Sequence, residues 1–568
     1  MDITNQPLHK EEEGDLIVFY QNRPEFLNRY EGKEIQYINE AFAVVHMPVS
    51  QLSMDMVSKY GYAAIPKLYG LTSERDVEAS GINRLRNIPS LNMFGNGVLV
   101  GIVDTGIDYT NPVFIKADGS TKILSIWDQE METGVVSDEL PFGTEYDAEQ
   151  INQALASEDS FQSVPSKDEN GHGTMMAAVA AGNANIKQDF RGVAPEADLV
   201  IVKLRRAKEY LRRFYGVPSK VDCFQENHIM WGIQYCINQA VELRRPIVIC
   251  IGCGTSQGSH DGRSYLATMM SILGDVPNII LVTSMGNEGI SNRHYYNTIQ
   301  ANQEYQLVEL QVGEEDKEFT MELWGNAPGI YSVDITSPSG EYIPKTLSYL
   351  RESREIKFVF ESTIIYVDSL MAESRTGEQL ILLRFFQMTP GKWIFKVYSE
   401  IDLSSGFHIW LPMGNMISDN TYFSSPDVYT TVLSPGSATI PITITAYNTT
   451  DNSLYIKASR GYTKNNIVKP DLAAPGVNYI APNQNQEFVS YSGTGVAAAH
   501  TAGIIALILE WSAVKGNQPY LDSLDIKNYL IRGAKRVPYL SYPNKDWGYG
   551  IIDVYNSFDI LKMDFLEG

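Results

Sequence analysis

The stretch VLVGIVDTGID, residues 98–108, decides the fold class of this 568-residue chain. Its first six residues form an apolar run, which is followed by Asp104 and a glycine turn. Similar runs follow at 197–204 (ADLVIVKL), 246–252 (PIVICIG) and 278–284 (NIILVTS), with helical patterns between them. Strands that are apolar on both faces and alternate with helices are typical of a parallel sheet covered by helices on both sides.

This α/β pattern covers residues 96–297 and is then interrupted by an antiparallel one. Residues 298–428 show apolar–polar alternation, as in YQLVELQV and WIFKVYSE, separated by turn signals such as SPSG. The parallel pattern returns at ATIPITITAYN and ends in helices predicted at Thr501–Trp511 and Leu524–Arg532. We therefore predict an inserted β-sandwich or jelly-roll domain at 298–428, and a second part of the α/β domain at 429–568.

Residues 1–95 differ from both patterns. They contain strand-like runs (DLIVFY, FAVVHMP) and a short helical pattern around QLSMDMVSKY, and they close on YAAIPKLYGL. This mixture predicts a small α+β unit. The predicted fold class is thus α/β, with an N-terminal α+β unit and an inserted all-β domain.

Composition excludes several classes of partner. The chain has 45 Lys and Arg against 68 Asp and Glu, a net charge of −23 that is spread along its length. Such a charge repels a phosphate backbone, so we expect no nucleic acid partner. The N-terminus has an acidic run where a signal peptide needs basic and apolar residues, and no apolar run comes close to about 18 residues. We expect a soluble protein with no classical signal peptide and no membrane partner.

Four cysteines do not make a disulfide framework in a chain of this length. Cys250 and Cys253 form a C-x-x-C within an apolar run, while Cys223 and Cys236 supply no second close pair. A structural zinc site needs two such pairs, so buried thiols are favoured over zinc. No Asp-rich loop has a recognisable calcium spacing, and we predict no metal and no cofactor.

Three polar residues stand where chemistry collects in an α/β fold. Asp104 follows a buried strand, at the sheet edge where ligands bind. His172 lies between two glycines before a helix, where its imidazole would be accessible to another loop. Asn287 follows the strand in LVTSMGNEG, and an amide there can stabilise an oxyanion by about 2.7–4 kcal/mol. Each residue alone has an ordinary alternative: a helix cap, a core histidine or a turn.

The stretch SYSGTGVAAAHTAG, residues 490–503, predicts the start of a buried helix. A hydroxyl in the first turn of a helix faces the positive end of the helix dipole, which favours a nucleophile and the anion that it generates. The position between Thr494 and Val496 is instead Gly495.

Together these motifs resemble the subtilisin-like serine peptidase family, whose triad runs in the order Asp, His, Ser. VDTGID is similar to the aspartate motif, NGHGT to the histidine motif, GNEG to the oxyanion motif, and KPDLAAPG to a stretch shortly before the serine. The resemblance implies that Asp104 orients, His172 is the general base and Asn287 is the oxyanion donor. It also makes Gly252 and Gly254 walls of the substrate cleft, and residues 1–95 a prodomain.

Several further stretches narrow the resemblance to the clostridial spore-germination (Csp) peptidases. These are YAAIPKLYGL, GTSQGSHDG, the β insertion and IRGAKRVPYLSYPNKDWGYG. Members of that group combine a prodomain, a subtilase domain and an inserted jelly roll.

The chain departs from the family at the nucleophile. Gly495 has no hydroxyl, and loss of the serine costs a subtilisin about 2 × 10⁶ in kcat. Ser492 and Thr494 are poor substitutes, since one lies three residues upstream and the other points differently. Two origins stay open: a natural pseudopeptidase, or a peptidase disarmed by substitution.

The resemblance implies a role in the bacterial spore, in the cortex or coat region. A pseudopeptidase would act there as a regulator or binding partner of other germination peptidases or of a cortex-hydrolase zymogen; an active enzyme would process that zymogen. Without the serine, we expect the prodomain to remain attached and to occupy the cleft, with no break between Asn87 and Gly97. A carbohydrate-binding role for the insertion is disfavoured, because Trp324 and Trp393 follow a core alternation.

Overall fold

A computed structural model describes residues 11–75, 93–132, 140–345 and 351–567. The last part of the predicted N-terminal unit, 76–92, lies outside the described residues. The described N-terminal elements are β1 (Glu13–Phe19), β2 (Glu34–Tyr37), β3 (Phe42–Pro48), α1 (Met56–Tyr60), β4 (Leu68–Leu71) and β5 (Ser73–Arg75). Strands β1, β3 and β2 form an antiparallel sheet, whereas β4 and β5 leave it and pair with other parts of the chain.

The first part of the α/β domain runs from β6 to β13. Its elements are β6 (Leu99–Asp104), β7 (Ile123–Asp128), β8 (Thr144–Asp147), α2 (Ala148–Leu155), α3 (Ser160–Ser163), α4 (His172–Ala181), β9 (Asp198–Lys203), α5 (Glu209–Tyr215), β10 (Phe224–Gln225), α6 (Glu226–Leu243), β11 (Ile247–Ile251), β12 (Cys253–Gly254), α7 (Tyr265–Gly274) and β13 (Ile279–Ser284). The four apolar runs of the sequence are β6, β9, β11 and β13.

An insertion of antiparallel strands follows. It consists of β14 (His294–Ile299), β15 (Tyr305–Val312), β16 (Phe319–Gly325), β17 (Tyr331–Thr336), β18 (Tyr342–Ile343), β19 (Arg351–Lys357), β20 (Ile364–Leu370), β21 (Gln379–Phe386), β22 (Gly391–Ser399), β23 (Ser405–Trp410) and β24 (Tyr422–Phe423). A six-stranded and a five-stranded sheet enclose an apolar core that includes Trp393, while Trp324 is buried against the N-terminal unit. Both tryptophans are at least 99% buried, so neither is available to a carbohydrate.

The chain then returns to the α/β domain. The remaining elements are β25 (Ile442–Tyr447), β26 (Leu472–Pro475), β27 (Tyr479–Pro482), β28 (Phe488–Gly493), α8 (Thr494–Leu509), α9 (Ser523–Gly533) and α10 (Val554–Glu567). The central sheet has the order β26-β25-β13-β11-β6-β9-β7-β8, parallel except at β8. The predicted α/β class with additional all-β sheets is confirmed.

Helices cover both faces of this sheet. Val100 and Ile102 of β6 pack toward α4 and α8, while Leu99 and Val103 pack toward α6 and α7. Alternate residues of one strand thus bury their side chains in two separate cores, which explains the unbroken apolar run. Burial on both faces fixes the position of the β6 carboxyl end, where Asp104 stands.

Helix α8 begins at Thr494, inside the stretch 490–503 that predicts its start and seven residues before Thr501, where the apolar pattern places it. The small residues Ala497–Ala499 are fully buried and let α8 pack closely on α4, so the first two turns are helical although they lack large apolar side chains. With the following turn, Thr494–Val514 is apolar and long enough to span a membrane, contrary to our expectation that no stretch would be. However, 94% of its most apolar window is buried inside the protein.

Candidate active site

The carboxyl ends of β6, β11 and β13 meet at one edge of the central sheet. These strands are immediate neighbours, so Asp104, Gly252 and the loop carrying Asn287 lie side by side. The first turns of α4 and α8 complete the same edge with His172 and Gly495. Residues from five separate regions of the sequence therefore form one site, in the position where α/β sheets bind ligands.

A buried carboxylate holds the imidazole. His172 Nδ1 lies 2.7 Å from Asp104 Oδ1, which also accepts a hydrogen bond from the Thr105 backbone at 2.8 Å. Because Asp104 is fully buried and accepts from Nδ1–H, the basic lone pair of His172 is on Nε2. Within the described part of the chain, Nε2 has no hydrogen-bond partner.

The loop before α4 explains the two glycines around His172. Gly171 has φ +90°, a conformation that favours glycine, and a Cβ on Gly173 would lie 2.2 Å from the carbonyl oxygen of Gly106. Asp168 fixes the loop by accepting from the backbone of Gly171 and Thr174. The glycines thus permit close packing of α4 on the β6 turn.

His172 is only 4% exposed, which differs from the accessible imidazole that the sequence indicated. The reason is a segment of the N-terminal unit that covers the site. Strand β4 pairs antiparallel with β12 on one side and with β10 on the other, and β5 pairs with β28. The chain from Leu68 to Arg75 therefore runs through the cleft as an added strand.

The carbonyl group of Thr72 occupies the position of the expected oxyanion. Its oxygen accepts from Asn287 Nδ2 at 2.6 Å and from the Gly495 backbone N–H at 3.2 Å. The Thr72 N–H donates to Gly252 O at 3.1 Å. Two donors on one carbonyl oxygen are the arrangement that stabilises a tetrahedral intermediate in acyl transfer.

Thr494 fixes the orientation of the Asn287 amide. Its backbone N–H and hydroxyl lie 3.2 and 3.1 Å from Asn287 Oδ1, and its hydroxyl oxygen accepts from the Gly286 N–H at 3.0 Å. With Oδ1 engaged in this way, the NH₂ group must face Thr72. The hydroxyl of Thr494 is therefore occupied away from His172, and Ser492 Oγ accepts from the Asn478 N–H.

Position 495 is the place from which a side chain would reach the base. A Cβ there would lie 3.4 Å from His172 Nε2, 3.0 Å from Thr72 Oγ1 and 2.4 Å from Ser73 Oγ. A serine hydroxyl extends about one further bond, within hydrogen-bond reach of Nε2. The residues Asp104, His172, Asn287 and Gly495 are thus brought together around the bond between Thr72 and Ser73.

The two glycines assigned to the cleft have different surroundings. A Cβ on Gly252 would lie 2.7 Å from Asp104 Oδ2 and 2.8 Å from His172 Cε1. Position 252 therefore contacts the buried Asp104–His172 pair as well as the strand that lies in the cleft. Gly254 pairs with Gly70 of β4.

Thr72 and Ser73 were missed by the sequence analysis. The sequence predicts a prodomain over residues 1–95 and any break in it between Asn87 and Gly97, of which 87–92 lie outside the described residues. The bond that lies in the site is about fifteen residues earlier. The signal was present in YAAIPKLYGL, an isolated apolar stretch that ends at Leu71 and has no partner in its own unit. A strand that pairs only with distant segments leaves no local mark of what it binds.

The four cysteines are buried and unbonded to one another. Burial raises the pKa of the Cys223 thiol to about 11 and that of Cys250 further. Among the described residues, no group of three or more His, Cys, Asp or Glu side chains is arranged to hold a metal ion.

A family comparison decides the relationship. Residues 95–335 and 401–550 match the model of the subtilase family, which leaves out residues 336–400 within the β insertion. The chain belongs to the subtilase family. The family membership that the sequence motifs of this subtilase indicate is confirmed.

One solved structure is similar over most of this subtilase. The CspB protease of Clostridium perfringens is 31% identical with a TM-score of 0.75, over 84% of this chain and 96% of that one. Pyrolysin of Pyrococcus furiosus is 28% identical over 164 residues, 24% of this chain and 11% of pyrolysin. The minor extracellular protease Vpr of Bacillus subtilis is 21% identical over 73% of this chain and 46% of Vpr. The chain thus spans less than half the length of these two relatives.

Proposed function

We propose that this subtilase is a pseudopeptidase that keeps its N-terminal unit attached and holds its own strand β4–β5 in the cleft. The observation that supports this is the Thr72 carbonyl, which accepts from Asn287 and Gly495 where position 495 carries no hydroxyl. In this proposal Asp104 orients His172, and both surround a peptide that is bound but not cut.

The loss of the serine affects catalysis far more than binding. In a subtilisin-type site, loss of the serine lowers kcat by about 2 × 10⁶ and leaves only about 10³–10⁴ over the uncatalysed reaction. The oxyanion donors stabilise a bound carbonyl without the serine, so binding survives where catalysis does not. A cleft of this kind suits a regulator better than an enzyme.

We place its action in spore germination, as a partner of other germination peptidases or of a cortex-hydrolase zymogen in the cortex or coat region. The likeness to the CspB protease of C. perfringens over nearly all of that chain supports this. Since the cleft is occupied, a partner would bind the outer surfaces or compete with β4–β5.

The second candidate is a serine endopeptidase of zymogen-processing type that carries a Ser-to-Gly substitution. The intact pair of His172 and Asp104 at 2.7 Å favours it, because a site without use for a base has no need to keep one. Ancestry accounts for the same pair, so the two candidates differ in whether the serine restores function.

The test is self-cleavage of Gly495→Ser. We expect this variant to cut itself between Thr72 and Ser73, because the hydroxyl would lie next to His172 Nε2 and the Thr72 carbonyl already occupies the oxyanion position. The matched control is Gly495→Ser with His172→Ala, which should stay whole. Cleavage of the unsubstituted chain at this bond would overturn the proposal.

A second measurement separates the candidates. The peptide YGLTSE, residues 69–74, is offered in excess to the Gly495→Ser chain after self-cleavage. A regulator whose cleft stays occupied by β4 leaves the peptide intact, whereas turnover of the peptide supports the endopeptidase.

A further inference from the structure

Two buried polar groups beside position 495 have no hydrogen-bond partner within the described part of the chain. They are the hydroxyl of Ser73 and Nε2 of His172. A Cβ at position 495 would lie 2.4 Å from Ser73 Oγ and 3.4 Å from His172 Nε2. Both groups therefore border the space that the side chain of a nucleophile would fill, and the Ser73 hydroxyl overlaps that space.

A second hydroxyl near this space is already engaged. Thr72 Oγ1 would lie 3.0 Å from a Cβ at position 495, and it lies 2.7 Å from Gly252 O and 2.8 Å from Ser284 Oγ. A hydroxyl has one proton, so Thr72 donates to the carbonyl and accepts from Ser284. Of these two hydroxyls, only that of Ser73 is available for another role.

The Thr72 carbonyl group is an electrophile next to the Ser73 hydroxyl. Attack by Oγ on the carbonyl carbon closes a five-membered ring with N, Cα and Cβ of Ser73. The carbonyl oxygen already accepts from Asn287 Nδ2 and the Gly495 N–H, which would stabilise the oxyanion that forms. Pairing of Ser73 with Gly493 of β28 fixes the backbone, so the two reacting groups are held together.

We infer that the Ser73 hydroxyl replaces the missing serine as the nucleophile and moves the Thr72 acyl group from nitrogen to oxygen. Oγ attacks the Thr72 carbonyl carbon while His172 Nε2 takes the hydroxyl proton, and a C–O bond forms. The oxyanion then collapses, the C–N bond to Ser73 breaks, and His172 returns the proton to the departing nitrogen. The product is an ester between Thr72 and Ser73 with a free amino group on Ser73, and no atom is gained or lost.

This activity rests on the proposed function, because it requires strand β4–β5 to stay in the cleft. An amide is more stable than an ester, so the peptide remains the resting form and the ester is a minor one. The N-terminal unit is covalently attached in both forms, and the mass of the chain does not change. A small nucleophile that reaches the ester would release residues 1–72.

Glycine at position 495 leaves the room that this arrangement needs. Any other residue would bring a Cβ within 2.4 Å of Ser73 Oγ, so the Ser73 hydroxyl would have to turn away. A serine at position 495 supplies a hydroxyl of its own. An alanine displaces the Ser73 hydroxyl and supplies none.

Hydroxylamine tests for the ester, because it attacks esters and leaves a hydroxamate. We expect neutral hydroxylamine to cut the unsubstituted chain into residues 1–72, ending in a hydroxamate, and residues 73–568. Intact mass identifies both fragments. Cuts at the Asn–Gly bonds of residues 96–97 and 170–171, which hydroxylamine also attacks, give fragments of other masses.

Four variants assign the reacting groups. Ser73→Ala should abolish the cut after Thr72, and Gly495→Ala should slow it by about 10²-fold, because the hydroxyl is displaced. His172→Ala should slow it by about 10²-fold or more, since the base is lost. Glu74→Ala, at the exposed next residue of the same strand, is the matched control that should be cut at the parent's rate.

The acyl shift and the proposed function fail on different results. Absence of the 1–72 hydroxamate from the unsubstituted chain, or an equal yield from Ser73→Ala, would overturn the acyl shift and leave the proposed function intact. A cut after Thr72 without hydroxylamine, ending in a carboxylate, would overturn the proposed function. The comparison with Ser73→Ala would still decide for or against the acyl shift in that case.

Discussion

Thr494 and Gly495 begin helix α8 with their backbone N–H groups directed at Asn287 and Thr72 respectively. The backbone geometry of an oxyanion site is therefore complete, and the missing part is one side chain. A Cβ at position 495 would lie 3.4 Å from His172 Nε2 and 2.4 Å from Ser73 Oγ, so a side chain there would stand beside the base once the Ser73 hydroxyl has turned away.

Asn287→Ala tests whether the bound carbonyl stabilises the molecule. We expect the free energy of unfolding of the Gly495 chain to fall by about 1–3 kcal/mol, because Thr72 O loses its shorter hydrogen bond and Thr494 loses its acceptor. Denaturant titration measures this. Asn297→Ala, at a half-buried amide of the β insertion, is the control expected to cost less. An unchanged midpoint for Asn287→Ala would contradict the account.

Helix α4 contributes to the site through its first turn, which carries His172. Gly173 brings that turn against Gly106, and Asp168 ties the preceding loop to it, so the imidazole of His172 meets a carboxylate at the end of β6. The helix acts as a rigid support for one side chain.

Gly173→Ala should disrupt this contact. The added Cβ would lie 2.2 Å from a backbone oxygen, which cannot rotate away, so we expect a loss of about 2 kcal/mol or more in stability and of self-cleavage in the Gly495→Ser chain. Gln153→Ala, on the exposed face of α2, should change stability by less than about 0.5 kcal/mol. Unfolding midpoints and intact masses report both effects, and normal cleavage by the Gly173 variant would refute this role for α4.

The elements differ in how well the sequence predicts them. Strands β6, β9, β11 and β13 were predictable because both of their faces are buried, which leaves an unbroken apolar run. For α8, the stretch 490–503 predicts the start correctly, whereas the pattern of large apolar residues begins only at Thr501, because the first turns consist of small residues that pack against α4. The local pattern of apolar residues indicates which faces are buried, but it does not indicate a contact with an element that is distant in the sequence.

The residues of the site also differ in how well the sequence predicts them. Asp104, His172, Asn287 and Gly495 stand in motifs whose glycines and strand ends are visible in the sequence. Thr72 does not, because it lies between β4 and β5, whose pairing partners are all distant in the chain. Its role depends on tertiary contacts.

Across the whole molecule, Glu322 joins the N-terminal unit, the α/β domain and the β insertion. From β16 it accepts from the Tyr62 hydroxyl at 2.6 Å, from the Gly258 N–H at 2.9 Å and from Trp324 Nε1 at 3.0 Å. It is 2% exposed, and burial raises the pKa of its carboxyl. The N-terminal unit is therefore held by more than its strand in the cleft.

Glu322→Ala should cost about 3 kcal/mol or more, since three buried donors lose their acceptor. Glu322→Gln is the matched control: its oxygen can serve the two N–H groups while its NH₂ donates to Tyr62, so the loss should be much smaller. Calorimetry of both variants measures the difference. Equal costs would mean that the site is held by packing alone.

Acid stability depends on buried histidines in several units. Burial lowers the pKa of His260 and of His500 to about 4, and that of His294 to about 3. In the unfolded chain these groups titrate near 6.5, so between pH 6.5 and 4 the unfolded state binds more protons and stability falls as pH falls.

Each such histidine should contribute about 1.4 kcal/mol per pH unit in that range. His500→Gln is expected to flatten the fall, because glutamine can still meet the Tyr479 hydroxyl and takes up no proton. Urea unfolding at pH 7, 6 and 5 gives the slopes. Parallel slopes for the variant and the parent would show that His500 titrates alike in both states.

Whether the strand in the cleft stays uncut is measured most directly by the intact mass of the purified, unsubstituted chain. We expect one species of 63.5 kDa, with the bond between Thr72 and Ser73 whole, because Gly495 offers no hydroxyl to attack it. A split into residues 1–72 and 73–568 without any substitution would contradict it.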